Sequence, residues 1–186
     1  MNINRLMPKF IQAIAQGLKY HDKLDTYVEL GVYKGRTFSR VAPLTQKAFA
    51  VDISDKFFDR ISGIENAELI NTSTTIFLNE SIKLKRKFDL IFIDANHKFE
   101  NSFSDFLLSL KVIKDGGVII LHDTYPASDK MISKNGNVKC GTTWKTALKI
   151  KNEFLDECEI ATLPFYHGIT VVRKVCRNVQ LDWKEN

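Results

Sequence analysis

Apolar residues along the chain fall into short runs separated by stretches with helical spacing. Tyr27, Val28 and Leu30 make the first run, and residues 49–53, 67–70, 88–94 (F-D-L-I-F-I-D) and 118–121 make the next four. Runs this short and this apolar suit parallel strands buried on both faces. Between them the period changes. Residues 4–20 carry Leu6, Met7, Phe10, Ile11, Ile14 and Leu18 on one helical face, with Gly17 a small cost. Further helices are expected over 35–44, broken near Pro43, over 55–61 with Ser54 as N-cap, and over 75–84. A longer one is expected over 98–113, with Phe99, Phe103, Phe106, Leu107 and Leu110 on one side. A last helix should start at Thr142 or Thr143 and run to about Leu155, burying Trp144 and Leu148. Asp115-Gly116-Gly117 reads as a turn, and strands at 159–163 and 169–174 join at Tyr166-His167-Gly168. This alternation predicts an α/β fold with a parallel sheet covered on both faces.

Composition adds bounds. The 186 residues suffice for one domain, with an N-terminal helix in residues 1–24 and a polar tail over 177–186. The net charge of +5 could favour an anionic partner, but a solvated lysine-rich surface accounts for it. The basic run Lys83 to Lys87 complements the negative end of the preceding helix. No aromatic-plus-arginine cluster of the kind that stacks bases is visible in the sequence. Cys140, Cys158 and Cys176 are odd in number and widely spaced, which points to free thiols in a reducing compartment. No apolar run reaches the roughly 18 residues of a membrane span, and the N-terminus does not read as a signal peptide. A cytoplasmic protein is expected. Residues 125–141 are polar and irregular, a candidate lid.

Chemistry gathers where the apolar runs stop. In an open parallel sheet, ligands bind beyond the carboxyl ends of the strands. Those ends carry Gly31 to Gly35, Asp52, Thr72-Ser73, Asp94 to His97 and His122 to Thr124. A strand that stops at a glycine and gives way to a helix opens a nucleotide-binding βα unit. Twenty-one residues after Gly31, Asp52 can accept both hydroxyls of a ribose. Tyr33 and Lys34 fill the place of the middle glycine of G-x-G-x-x-G, so an adenosine ligand without a pyrophosphate fits better than a dinucleotide.

E-L-G-V-Y-K-G followed by Asp52 resembles the first two motifs of the Rossmann-like S-adenosylmethionine (SAM)-dependent methyltransferases. F-I-D-A-N-H-K-F-E and K-D-G-G-V-I-I-L-H-D-T are similar to the small-molecule O-methyltransferase branch, related to antibiotic-sugar (macrocin-type), caffeoyl-CoA and catechol enzymes. The likeness spans about residues 27–174. It implies a three-layer Rossmann-like methyltransferase sandwich, with a seven-stranded, mostly parallel sheet and an antiparallel terminal strand.

The resemblance also implies roles. Glu29, Gly31, Tyr33 and Gly35 would contact the methionine half of SAM, with Glu29 facing its ammonium. Asp52 would hold the ribose, Ile53 would pack on the adenine, Thr72 and Ser73 would bond its edge, and Asp94 would lie beside the sulfonium. Catechol-type relatives carry a lysine where this chain has His97, a substitution that could preserve the base role; Asp123 would share in catalysis, and Asp94 with Asp123 would be the ligands of a Mg²⁺ ion. Thr124 is a poor third ligand, which counts against the metal. His167, alone in a turn, is expected to be exposed. The expected partner is a small-molecule methyl acceptor, a sugar or another hydroxylated metabolite, and a homodimer is compatible with the sequence. Nucleic-acid methylation, a SAM-binding module without catalysis and a nicotinamide-dependent reductase are the alternatives.

Overall fold

The computed structural model describes residues 6–132 and 139–175. Cys176, the tail over 177–186 and the middle of the candidate lid lie outside the described residues. Strands β1 (Thr26–Leu30), β2 (Lys47–Asp52), β3 (Ala67–Asn71), β4 (Phe88–Ile93), β5 (Ile113–His122), β6 (Cys158–Leu163) and β7 (Ile169–Lys174) form one sheet in the order β3-β2-β1-β4-β5-β7-β6. The first five are parallel. The last in sequence, β7, runs antiparallel to both its neighbours, β5 and β6. This is the seven-stranded, mostly parallel sheet that the resemblance implied.

Alternation along the buried strands sends successive side chains to opposite faces. Tyr27, Leu90, Phe92 and Ile120 pack with Met7 and Ile11 of α1 (Leu6–Tyr20) and Phe38 and Val41 of α2 (Phe38–Val41). Val28, Leu30, Ile91 and Leu121 face the other way, onto α3 (Thr74–Lys83), α4 (Phe99–Val112) and α5 (Trp144–Glu153). Both clusters are apolar and buried, and each fully buried aliphatic or aromatic side chain contributes about 1.5–3 kcal/mol. Asp89 lies within the apolar run of β4. It accepts hydrogen bonds from the backbone of Asp25 and Thr26 and pairs with Lys114 at 2.7 Å, at the end of the sheet opposite the strand exits.

Several helices differ from expectation. The stretch 35–44 yields one α-turn and a 3-10 turn, because Gly35 has a positive φ of 69° and Pro43 lies in the turn that follows. The stretch 55–61 yields a 3-10 turn at Phe58–Arg60, and the Ser54 hydroxyl meets only the Lys56 amide at 3.4 Å. In α5, Leu148 is half exposed while Thr146, Ala147 and Ile150 turn inward. The reason is a polar seam with α4: the hydroxyls of Thr146 and Ser102 are 2.6 Å apart and satisfy each other. Hydrophobic periodicity cannot register a buried pair of small hydroxyls. The basic run after α3 is structural, with Lys87 Nζ donating to the Lys111 carbonyl at 2.8 Å.

Strand order changes direction between β1 and β4, so a crevice opens beyond their carboxyl ends. The loops leaving β1, β2, β4 and β5 border it.

Candidate active site

At the exit of β1, Gly31 has φ +88°. A Cβ there would run into the Asp94 carbonyl and into Ala95 at 2.5 Å. The glycine therefore lets the β1 and β4 exits close on each other, a packing reason where the sequence suggested room for a ligand. Gly31→Ala should destabilise the fold and open the crevice; a melting temperature unchanged from wild type would show that the exits can part freely. Gly35 is likewise structural, since its Cβ would meet Ile61 Cγ2 at 2.5 Å.

Across the turn, Asp52 ends β2. Its Oδ2 accepts the Tyr33 N–H at 2.9 Å and its Oδ1 the Ser54 N–H at 3.0 Å. Two amides hold the carboxylate, and its remaining lone pairs face the crevice. Next to it, the Ile53 side chain is 78% exposed. Ser73 caps α3 by accepting the Ile76 N–H at 3.2 Å. Inside β1, Glu29 is buried, its Oε2 accepting the Tyr27 hydroxyl at 2.6 Å. Burial pushes the Glu29 carboxyl well above its ordinary value, and the Tyr27 hydrogen bond opposes that only in part.

The exits of β4 and β5 carry a cluster of two aspartates and three histidines. His122 Nδ1 lies 3.1 Å from Asp94 Oδ1 and 3.5 Å from Asp123 Oδ2, and its Nε2 lies 3.0 Å from the Tyr166 carbonyl. With an acceptor at each ring nitrogen, the doubly protonated imidazolium is fully satisfied. His97 Nε2 is 3.1 Å from Asp123 Oδ2 and 3.8 Å from Asp94 Oδ1. His167 Nδ1 is 3.3 Å from Asp123 Oδ1 but off the line of a hydrogen bond, and among the described residues that buried oxygen has no aligned hydrogen-bond partner.

Burial disfavours a charge on His122, but the carboxylates of Asp94 and Asp123 overcome it and push the imidazole up to about 9. Burial works against the Asp94 carboxylate too, yet His122 and His97 hold it below its ordinary value. His97 is raised by its contact with Asp94, against burial. Burial lifts Asp123 to about 6 although the histidines oppose it. A histidine raised on folding stabilises the fold fully below its unfolded value and loses that contribution as pH passes its folded value. The melting temperature should therefore fall from pH 6.5 toward about 9, and His122→Gln should flatten that slope. A profile identical in the variant would remove His122 as its source.

Two overlapping trios, Asp94–His97–Asp123 and His122–Asp123–His167, bring possible ligand atoms within 4.8 Å of one another. Three of these five residues offer imidazole nitrogen, whereas Mg²⁺ takes oxygen. An ion between Asp94 and Asp123 would have to share those carboxylates with His122 Nδ1, which stands in contact with both.

One cavity of about 670 Å³ joins the two halves. That is within the range of ligand sites, about 300–1,000 Å³. Of the residues singled out in the sequence, Glu29, Gly31, Tyr33, Asp52, Ile53, Ser73, Asp94, His97 and Asp123 line it, whereas Gly35 and Thr72 do not. Met7, Arg36, His122 and Tyr166 also line it, and the sequence had assigned them no role. His167, expected to be a bystander, reaches Asp123 because Tyr166, His167 and Gly168 all have positive φ and turn the chain back on β5. The Tyr125 N–H donates to the His167 carbonyl at 2.8 Å and secures that return. Phe57 also corrects a sequence expectation: Tyr33 meets it edge-on at 5.2 Å, and Arg60 stands 4.9 Å from its centroid. An aromatic and basic cluster does exist, on the rim of the cavity.

No helix among the described residues is long and apolar enough to cross a membrane. No curated protein matches the sequence. Among solved structures, an O-methyltransferase from Bacillus cereus in complex with SAH superposes with a TM-score of 0.69 at 17% identity, covering 91% of this chain and 80% of that one. SAH-bound Podospora anserina methyltransferase gives 0.67 at 17%, covering 92% and 79%. An rRNA methylase from Streptococcus thermophilus gives 0.62 at 15%, covering 95% and 98%. These likenesses establish the fold. The family model described as a methyltransferase domain matches residues 28–124, from β1 through the Asp123 cluster. That span is more than half of the chain and holds the glycine bend, Asp52, Asp94 and His97, so the chain belongs to the methyltransferase domain family.

Proposed function

We propose that the protein transfers a methyl group from SAM to a hydroxyl oxygen of a small molecule, with His97 as the base. One observation carries this reading: a single cavity runs from Asp52 and Glu29 to the His97–Asp123 pair. Its donors suit the cofactor. Glu29 is a buried carboxylate with no cation paired to it among the described residues, and a ligand ammonium would supply one. Asp52 would accept the ribose hydroxyls, the exposed Ile53 would cover the adenine, and Ser73 would meet its edge. Asp94 would stand near the sulfonium.

When bound, SAM supplies an electrophilic methyl on a positively charged sulfur. The chain's own residues orient and deprotonate the acceptor. His97 Nε2 stands 3.1 Å from Asp123 Oδ2, off the line of a hydrogen bond, and the carboxylate's charge would favour the proton on Nε2, leaving Nδ1 to take the hydroxyl proton. The bound group would supply its methyl to the acceptor oxygen: that oxygen would bond to the methyl carbon as the carbon–sulfur bond broke and left its electron pair on sulfur. The carboxylates of Asp123 and Asp94 stabilise the imidazolium that results. His122 keeps Asp94 and Asp123 apart and balanced in charge. No step requires Mg²⁺, and activity should survive EDTA. A loss restored by adding back Mg²⁺ would overturn the metal-free mechanism.

The reading is tested by incubating the enzyme with labelled SAM and a panel of sugars, catechols and hydroxy acids. An O-methyl ether is expected, and methylated RNA without one would refute it. Nucleic-acid methylation keeps one supporting observation, the Tyr33–Phe57 rim with Lys34, Lys56 and Arg60 around it. Asp55 and Asp59 are interspersed with those cations, which weakens the patch. Steeply salt-dependent RNA binding would favour that reading.

A further inference from the structure

Two cationic side chains other than histidine line the cavity, Lys34 and Arg36. Lys34 stands over the Tyr33 ring at 5.1 Å and near Phe57 at 6.0 Å, on the rim. Arg36 has no such engagement. Among the described residues its guanidinium makes no ion pair, hydrogen bond or ring contact. None of the cavity's carboxylates pairs with it: Glu29 is bonded to Tyr27, Asp52 to two amides, and Asp94 and Asp123 stand against histidines. Arg36 and Tyr166 line the same cavity. Burial and the charges of Asp123 and Asp94 push the Tyr166 phenol up, and Arg36 lies near enough to oppose them. Tyr166 in turn stacks on His122, with centroids 5.5 Å apart. Beside Arg36, Thr37 touches the Met7 sulfur at 3.7 Å, so α1 forms the facing wall.

Arg36 is exposed, so water solvates its guanidinium, but a cation beside a site for a sulfonium gains most from an anion that enters with the substrate. We infer that the methyl acceptor is a hydroxylated molecule bearing a carboxylate or phosphate, and that Arg36 binds this anion while the hydroxyl meets His97. This inference rests on the methyl-transfer reading above and adds the acceptor's chemical class. The apolar body of such a molecule would lie between Met7, Val32 and the Tyr166 ring, all of which line the cavity.

The test uses matched pairs that differ in the anion: 3,4-dihydroxybenzoate against catechol, and glucose 6-phosphate against glucose. Each is titrated into the full chain saturated with SAH, and each is assayed for methylation. In at least one pair, the anionic member should bind about tenfold or more tightly, as loss of a charge-assisted contact predicts. Arg36→Gln should erase that preference through KM with little change in kcat, and Arg36→Lys should restore part of it. Equal affinities within each pair, or no binding of either anionic member, overturn the inference. A weaker SAH affinity in Arg36→Gln with acceptor KM unchanged also overturns it, and assigns the arginine to the cofactor's own carboxylate. Methylation of RNA alone would do the same. Failure of wild-type protein to bind SAH would instead defeat the methyl-transfer reading.

Discussion

Asp52→Ala is expected to weaken SAH binding by about 10²–10⁴-fold. The carboxylate would accept two ribose hydroxyls, each a charged hydrogen bond worth about 1.5–3 kcal/mol, and every 1.4 kcal/mol is about tenfold in affinity. The mutation also frees the Tyr33 and Ser54 amides that now bond to Asp52, so the glycine bend loses its clasp. Isothermal titration gives the affinity, and circular dichroism checks that the sheet is intact. Asp52→Asn, with one carbonyl acceptor, should fall between the two. Wild-type affinity in the alanine variant would move the ribose elsewhere.

His97→Ala is expected to lower turnover by about 10²–10⁴-fold, the usual contribution of a positioned proton acceptor, while SAH affinity is retained. His97 borders the cavity from the loop after β4, and its backbone is secured independently: its carbonyl accepts the Thr142 N–H at 2.8 Å. Loss of the ring should therefore leave the loop in place. The pH profile provides a second readout. Asp94 raises His97 above its ordinary 6.5, and a base must be neutral to act. The wild-type rate should accordingly rise with pH through a value above 6.5. In His97→Ala that limb should vanish. A variant with full activity would exclude the ring from proton transfer.

The two halves of the site differ in how far they could be read from sequence. Gly31, Asp52, Asp94 and Asp123 each follow an apolar run, and pairing of parallel strands brings run ends to one edge of the sheet. Local pattern thus carried them into the crevice. Thr72 illustrates the limit: it too follows a strand, but its N–H donates to the Asp52 carbonyl at 3.0 Å and it stays out of the cavity. The cluster of three histidines was less legible. His167 is far from Asp123 in sequence, and it arrives only because β7 pairs antiparallel with β5, His122 opposite Ile169.

The sequence by itself determined the layers and the tips. Each strand's burial on both faces demands an unbroken apolar run, and a change from polar to apolar period marks where each run stops. Tertiary structure alone decided what those tips do to one another. It set the charge on His122, which depends on the distance to two carboxylates. It gave Gly31 its role, which depends on the neighbouring strand's carbonyl. Among the described residues it also left Arg36 without an ion-pair partner, which depends on every other side chain around the cavity. Distances across a sheet arise from pairing between remote segments, and no local periodicity records them.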